Sequence, residues 1–217
     1  MESHKAHYLS GMMLSAGGNV AGMAASLVTI MAAARLLSKD DMGAFFLVMV
    51  VVQCVSLLSD FGLKNTAIKS LSSLPAESGE FILTARFLLT MTVATSFIVC
   101  LGLWPLLPFL KSLWPFESFH QQLAYIAPIA FLAAVLQIAT SLLVGAKELR
   151  KFAAVSAGIE VLRAMISTGG LMAGWGVGAL LWGMILSRIF GIGIIWASCS
   201  TDFKRIEASE LSKSGVA

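Results

Sequence analysis

The stretch that decides the fold runs from residue 35 to residue 71 and reads RLLSKDDMGAFFLVMVVVQCVSLLSDFGLKNTAIKSL. Charged residues stand near both of its ends, and none lies between Asp41 and Asp60. An apolar helix of about 20 residues, rising 1.5 Å per residue, crosses the hydrocarbon core of a bilayer. The stretch therefore predicts a transmembrane helix with polar residues at both membrane surfaces.

The composition of the whole chain indicates an integral membrane protein. Of its 217 residues, 58% are hydrophobic and only 12% are charged, whereas a soluble domain carries about 25% charged residues. Basic residues are scattered at the ends of apolar runs rather than clustered on one face, which argues against a nucleic-acid partner. The apolar runs are too long for barrel strands and do not alternate with a period of two. The predicted class is all-α and polytopic, with membrane lipid as its surroundings.

Further apolar runs complete a predicted bundle of six transmembrane helices. Their approximate bounds are Leu9–Ala34, Met42–Leu63, Phe81–Leu103, Leu123–Ala146, Phe152–Ala173 and Val177–Cys199. The transmembrane domain then covers residues 9–199. We expect residues 1–8 to form a cytoplasmic N-terminus and residues 200–217 a polar cytoplasmic tail.

Local signals mark the ends of several helices. Serine is favoured at the N-cap of a helix, so Ser38 is predicted to cap the second helix. The acidic residues that follow it are favourable in the first turn because of the helix dipole. Gly62 can end that helix in a left-handed conformation. Gly174-Trp175-Gly176 leaves room only for a short hairpin, so the fifth and sixth helices are predicted to be antiparallel neighbours.

Small residues recur at every fourth position in several spans, a spacing that lets helix backbones approach closely. We interpret these residues as packing positions. They are Gly18, Gly22 and Ser26, then Gly170, Gly174 and Gly178, and finally Gly183, Ser187 and Gly191.

The distribution of basic residues predicts the orientation. With the N-terminus inside, the inner segments hold roughly three times as many Lys and Arg residues as the outer ones, which agrees with the positive-inside rule. The inner residues are Lys5, Lys64, Lys69, Lys147, Arg150, Lys151, Lys204, Arg205 and Lys213, and the outer ones are Arg35, Lys39 and Lys111. Both termini are therefore predicted to be cytoplasmic.

Charged residues near the middle of the bilayer are the candidates for function. Glu160 and Arg163 lie in the fifth span and Arg188 lies in the sixth. A central Arg costs at least about 2.5–3.5 kcal/mol on insertion, so each must face protein or water. Two interpretations stay open: Glu160 and Arg163 form a structural pair on one helix face, or the two arginines line a cavity that receives an anionic group.

Other motifs do not indicate an enzyme. Asp60-Phe61-Gly62 matches the magnesium triplet of kinases, but no kinase motifs surround it. The histidines, His4, His7 and His120, lie outside the predicted spans. We therefore predict no catalytic residues, no metal site and no cofactor.

Residues 18–71 resemble the start of O-antigen-type polysaccharide flippases, within the multidrug/oligosaccharidyl-lipid/polysaccharide exporter superfamily. The resemblance rests on the small-residue first helix and on residues 34–37, 39–45 and 57–63, with a second match over residues 145–153. It implies transport of a lipid-linked oligosaccharide, which carries a pyrophosphate, across the bacterial inner membrane. The positions that match its motifs, Arg35, Gly43, Asp60 and Gly62, are expected to be structural or gating positions rather than ligands.

The chain departs from this resemblance in its number of helices. Such exporters have about twice as many, arranged as two lobes around a central cavity, so this chain resembles the N-terminal lobe alone. A truncated gene product, a fragment and a functional half all stay open, and the expected partner is a second six-helix half or another copy. Two alternative functions remain, a multidrug/cation antiporter half and a scaffold subunit that does not transport.

Overall fold

A computed structural model describes the backbone of residues 2–75, 78–106, 108, 109, 112 and 117–213. It describes the side chains of residues 17, 18, 20–75, 78–106, 108, 109, 112 and 119–197. Within that part of the chain the secondary structure is helical and contains no strand, which confirms the predicted all-α class. The α-helices are α1 (Glu2–Leu36), α2 (Lys39–Asp60), α3 (Leu63–Ser72), α4 (Gly79–Leu103), α5 (Glu117–Gln122), α6 (Ile126–Gly145), α7 (Leu149–Met172) and α8 (Val177–Lys213).

Five helical segments are long and apolar enough to cross a membrane. They correspond to the second to sixth predicted spans: Lys39–Asp60, Gly79–Leu106, Phe119–Gly145, Leu149–Met172 and Val177–Ala197. Two of them include a short 3₁₀ turn, Trp104–Leu106 after α4 and Leu123–Tyr125 before α6. The first predicted span lies within α1, whose apolar part among the residues with described side chains is Val20–Leu36. The chain is a multi-pass transmembrane helix bundle.

The predicted helix boundaries agree with the observed caps. The side chain of Ser38 accepts a hydrogen bond of 3.1 Å from the backbone N–H of Asp41, as expected of an N-cap. α7 and α8 are joined by a short hairpin in which Gly174 has a φ of 83°. The backbone N–H of Trp175 donates to the carbonyl of Gly170, which closes the end of α7.

Helix α3 is an element of the core that the sequence pattern did not predict. α2 ends at Asp60, because Phe61 and Gly62 both adopt left-handed backbone conformations, with φ of 38° and 78°. The chain then resumes as α3 instead of forming a loop. The carboxylate of Asp60 accepts a 3.0 Å hydrogen bond from the backbone N–H of Lys64, which satisfies a free donor in the first turn of α3.

α3 packs against the ends of α4 and α6 rather than lying apart from the bundle. Ala67 and Leu71 are fully buried, in a cluster with Phe81 of α4 and Ile138 of α6. A β-carbon placed on Gly145 would lie 2.7 Å from the β-carbon of Leu71, so the two helices need a glycine at this contact. α3 therefore belongs to the helical core.

The remaining contacts order the long helices around α6. A large core cluster joins α2 to α6 and α8 through Val48, Ile129 and Leu181, each almost wholly buried. α1 packs chiefly against α7, and α7 packs against α8. The C-terminal end of α1 packs against the start of α8, because Ala33 lies in a buried cluster with Ala179.

Several of the predicted small-residue positions lie at close helix contacts, but Gly174 and Gly178 have open space where a β-carbon would lie. A β-carbon on Gly18 would lie 3.3 Å from the carbonyl oxygen of Ala153, and one on Gly22 would lie 3.2 Å from Cγ of Glu160. At the α7–α8 contact, Gly183 leaves room for the hydroxyl of Ser167. These glycines let α1, α7 and α8 approach closely enough to bring their polar side chains together.

Candidate functional site

A cavity of about 770 Å³ lies between α1, α6, α7 and α8. Much of its wall is apolar, but polar and charged side chains converge on it from all four helices. These polar residues are Ser26, Gln137, Thr140, Ser156, Glu160, Arg163, Ser187 and Arg188. A mainly apolar cavity with a few convergent polar groups is the usual form of a small-molecule site.

The charged residues of the cavity lie near the middle of their helices. Glu160 and Arg163 lie close to the midpoint of Leu149–Met172, and Arg188 lies close to the midpoint of the apolar segment Val177–Ala197. Because these segments are the ones that cross the membrane, the cavity lies at about the middle of the bilayer. Lipid headgroups are distant there, so the charges depend on the protein, on water inside the cavity or on a bound ligand.

Arg163 joins α7 to α1. One of its guanidinium nitrogens donates to the hydroxyl of Ser26 at 2.6 Å and to the carboxylate of Glu160 at 2.5 Å. The side chains of Arg163 and Glu160 are 27% and 38% exposed, so the pair remains accessible from the cavity. A small side chain at Ser26 and the absence of one at Gly22 make this approach of α1 possible.

Arg188 is held by the backbone rather than by a carboxylate. Its NH1 donates to the carbonyl oxygen of Ile129 in α6 at 2.7 Å. A guanidinium carries five N–H donors in a planar fork, so one carbonyl leaves donor capacity on the side of the cavity. Arg188 is therefore positioned by α6 while its charge remains available.

The charges that line the cavity sum to one positive charge. Arg163 and Arg188 contribute two positive charges and Glu160 one negative charge, and these three are the charged residues among those that line it. A net charge inside the membrane is costly. The arrangement is therefore suited to an anion, and planar guanidinium groups match the oxygen geometry of phosphate.

The structure thus brings all three predicted candidates into one cavity. It also adds residues that sequence reasoning assigned only to packing or to helix contacts. Ser26 was interpreted as a packing residue from its four-residue spacing, and Gln137 was not singled out. The sequence did contain an indication of this role. Ser26 is the hydroxyl residue of its small-residue row, and a hydroxyl at a close helix contact can reach a charged side chain on the neighbouring helix.

The positions that match the family motifs lie away from the cavity. Arg35 is exposed in the last turn of α1, and Gly43 is exposed near the start of α2. Asp60 and Gly62 form the junction between α2 and α3. None of them lines the cavity of the described structure.

Among the described residues, no group of three or more His, Cys, Asp or Glu side chains lies close enough together to hold a metal ion. Arg163 and Arg188 are the chemical core of the site, with Glu160 as the resident counter-ion of Arg163. The two guanidinium groups are chemically suited to an anion. It contains no pair of carboxylates for general acid–base chemistry.

Comparison with known families agrees with the resemblance found in the sequence. The family model described as "Polysaccharide biosynthesis protein" matches residues 32–213, well over half of the chain, and this match includes Glu160, Arg163 and Arg188. No curated protein and no solved structure gives a match. The chain is therefore a multi-pass membrane protein that belongs to the polysaccharide biosynthesis protein family, whose members act in polysaccharide synthesis or export.

Proposed function

We propose that this protein is one lobe of an exporter that moves a lipid-linked polysaccharide or oligosaccharide across the bacterial inner membrane. The observation that carries the proposal is the cavity near mid-membrane that holds Arg163 and Arg188, in a chain of the polysaccharide biosynthesis protein family. In this account the cavity receives the anionic pyrophosphate of the lipid-linked substrate, and the arginines replace part of its hydration.

The position of the arginines supports transport over a purely structural role. A structural ion pair needs equal numbers of opposite charges, but the cavity holds one more arginine than carboxylates. Arg188 is anchored through a carbonyl of α6, which fixes the guanidinium without neutralising it. An unneutralised cation at this depth is stabilised when an anion passes through the cavity.

The shape of the cavity supports a role for a second lobe. Met23 and Leu27 of α1 line the cavity and are nevertheless 69% and 61% exposed, so it opens at the surface of the bundle. A groove of this kind needs an opposite wall to enclose a large polar substrate. The proposed partner is a second six-helix half, with another copy of this chain as the alternative.

The proposed exporter has a defined orientation. Both termini lie in the cytoplasm, so Lys39 marks the outer end of α2 and Lys147 the inner end of α6. In this orientation Arg35 and Gly43 lie near the outer surface, at the α1–α2 turn. Asp60 and Gly62 join α2 to α3 nearer the inner surface, and a left-handed glycine there suits a structural or gating position.

A deletion strain of the native host provides the test. Wild-type protein is expected to restore surface polysaccharide, whereas Arg163→Ala and Arg188→Ala variants are each expected to reduce it at least tenfold, since a buried charged contact to a ligand is worth several kcal/mol. Arg86→Ala is the matched control, because Arg86 is exposed on α4 and does not line the cavity. Lipid-linked intermediates should accumulate inside the cells that carry the two cavity variants.

The same strains separate the proposal from its alternatives. A scaffold subunit predicts that both cavity variants restore polysaccharide as well as the Arg86→Ala variant does. A multidrug/cation antiporter predicts normal polysaccharide in the deletion strain together with increased sensitivity to cationic drugs. Either of these results would overturn the proposed function.

A further inference from the structure

Helix α2 carries a row of exposed side chains on the face that turns away from the bundle. Phe46, Val50, Gln53 and Leu57 form this row, which we name the α2 seam, and its three apolar members are 47%, 59% and 65% exposed. The opposite face of α2, which includes Val48, is buried against α6 and α8. An apolar face is expected wherever a helix touches lipid, so the three apolar residues alone do not indicate a partner.

Gln53 is the member of the seam that lipid does not explain. It lies twelve residues after Asp41 and seven before Asp60 in the uncharged run, which is about 18 Å and about 10 Å along the helix axis. Gln53 is therefore well inside the hydrocarbon region, where lipid chains offer no hydrogen bonds.

The carboxamide of Gln53 has no partner within the described part of the chain. It carries two N–H donors and an oxygen acceptor, yet no described residue hydrogen-bonds to it, and it does not line the cavity between α1, α6, α7 and α8. Gln137 differs, because it lines that cavity. An amide exposed to lipid is unfavourable, and glutamine side chains in membranes hydrogen-bond across helices. The position of Gln53 therefore points to a helix of another molecule.

The spacing of the seam suits a parallel partner helix. Its positions are separated by four, three and four residues, which is the a/d pattern of two helices that pack with a left-handed crossing. Helices in membrane bundles often cross in this way, at about 20°. In a parallel pair, equivalent a and d positions of the two helices meet at the same level.

We propose that the α2 seam is the contact surface for a second copy of this chain, with the two Gln53 side chains paired across a two-fold axis. Two copies inserted with the same orientation are related by an axis along the membrane normal, so identical residues meet at equal depth. A carboxamide is complementary to itself, because an N–H of each one donates to the oxygen of the other. A second copy therefore satisfies Gln53 with a residue of this same chain.

This contact goes beyond the proposed function and does not depend on it. No residue of α2 lines the cavity, so pairing through α2 leaves the lining of the cavity uncovered. The double variant Arg163→Ala/Arg188→Ala should therefore dimerise as the wild-type protein does. Loss of export with an intact dimer would count against the anion site alone, and loss of the dimer would count against the α2 seam alone.

Cysteine cross-linking of the full chain in membranes tests where the two copies meet. Val50→Cys and Leu57→Cys, each in a chain whose three native cysteines are replaced by serine, are expected to form a disulfide-linked dimer on oxidation with copper phenanthroline. Ile98→Cys in the same background is the matched control, because Ile98 is 65% exposed on α4, outside the seam. It should give at most one-tenth as much dimer.

Three results would overturn the proposed contact. Equal amounts of dimer from all three variants would show that the copies meet only by random collision. A dimer from Ile98→Cys alone would place the contact on α4. A chain that stays monomeric in every variant does not pair with itself, and the α2 seam would then face lipid or a different protein.

The role of Gln53 is tested by the strength of the dimer in liposomes, measured by energy transfer between labelled copies over a series of protein-to-lipid ratios. Gln53→Leu should weaken the dimer about three- to twentyfold, the measured range for hydrogen bonds between helices in membranes. Gln53→Asn, which keeps the carboxamide, should weaken it less. Gln121→Leu is the control, because it removes an exposed glutamine outside α2. A Gln53→Leu dimer as strong as that of the wild-type protein would overturn the pairing of the two glutamines.

Discussion

At the scale of single residues, Gly43 and Gly62 show how one residue type can meet two different requirements. Both glycines have open space where a β-carbon would lie, so neither is needed to avoid a clash. Gly62 differs because its φ of 78° lies in the left-handed region, whereas Gly43 lies within the regular helix α2. Only Gly62 is required by the backbone, since residues with a β-carbon are strained in that region.

Gly62→Ala should therefore lower the free energy of unfolding by about 1–2 kcal/mol, the cost of a left-handed residue with a side chain. Gly43→Ala should instead raise it by about 0.5–1 kcal/mol, because alanine is favoured over glycine inside a helix. Denaturant unfolding in detergent micelles measures both changes. Equal effects of the two substitutions would show that the backbone conformation of Gly62 does not matter for stability.

At the scale of elements, the contact between α1 and α7 positions the charged site. Gly22 lies directly against Glu160, and one turn further along α1 the hydroxyl of Ser26 accepts a hydrogen bond from Arg163. A larger side chain at Gly22 would push the two helices apart and lengthen the contact to Arg163. Gly17, on the same helix, has open space around it and is exposed.

We expect Gly22→Leu to lower stability by about 1–3 kcal/mol, the typical cost of overpacking a close contact. Gly17→Leu, the matched control, should change stability little because its side chain meets no neighbour in the described structure. Thermal unfolding of both variants in detergent checks this prediction. Equal stability of the two variants would mean that α1 does not pack on α7 as closely as described.

Long helices were easier to predict from sequence than their junctions and contacts. Uncharged apolar runs identified α2, α4 and α6 because length and composition decide what crosses a bilayer. α3 was missed because it is short and its apolar positions, such as Ala67 and Leu71, become buried only through tertiary contacts. Glu160, Arg163 and Arg188 were identified by their cost in the membrane. Ser26 was not, because its role depends on which helix faces α1.

At the scale of the whole molecule, the surplus of basic residues in alternate connections predicts the orientation of the bundle. Alkaline phosphatase is active only outside the cytoplasm, so fusions to successive segments report which side each one occupies. A fusion after Lys111 should be active, and fusions after Lys69 and Lys213 should be inactive. The opposite pattern would invert the molecule and place the α2–α3 junction at the outer surface.

In the proposed function, which also belongs to the whole molecule, a cavity formed by four helices binds the pyrophosphate of a lipid-linked glycan through two arginines. Each arginine is positioned by a different helix, Arg163 through Ser26 of α1 and Arg188 through the Ile129 carbonyl of α6. Removal of both arginines should therefore abolish binding without unfolding the bundle, because both line the cavity and neither is fully buried.

Native mass spectrometry of the purified chain with a polyprenyl-pyrophosphate-linked oligosaccharide measures this binding. We expect a one-to-one complex with the wild-type protein and with Arg86→Ala, and loss of at least nine-tenths of that complex in the double variant Arg163→Ala/Arg188→Ala. Equal binding by the double variant and the Arg86→Ala control would show that the two arginines do not bind the substrate.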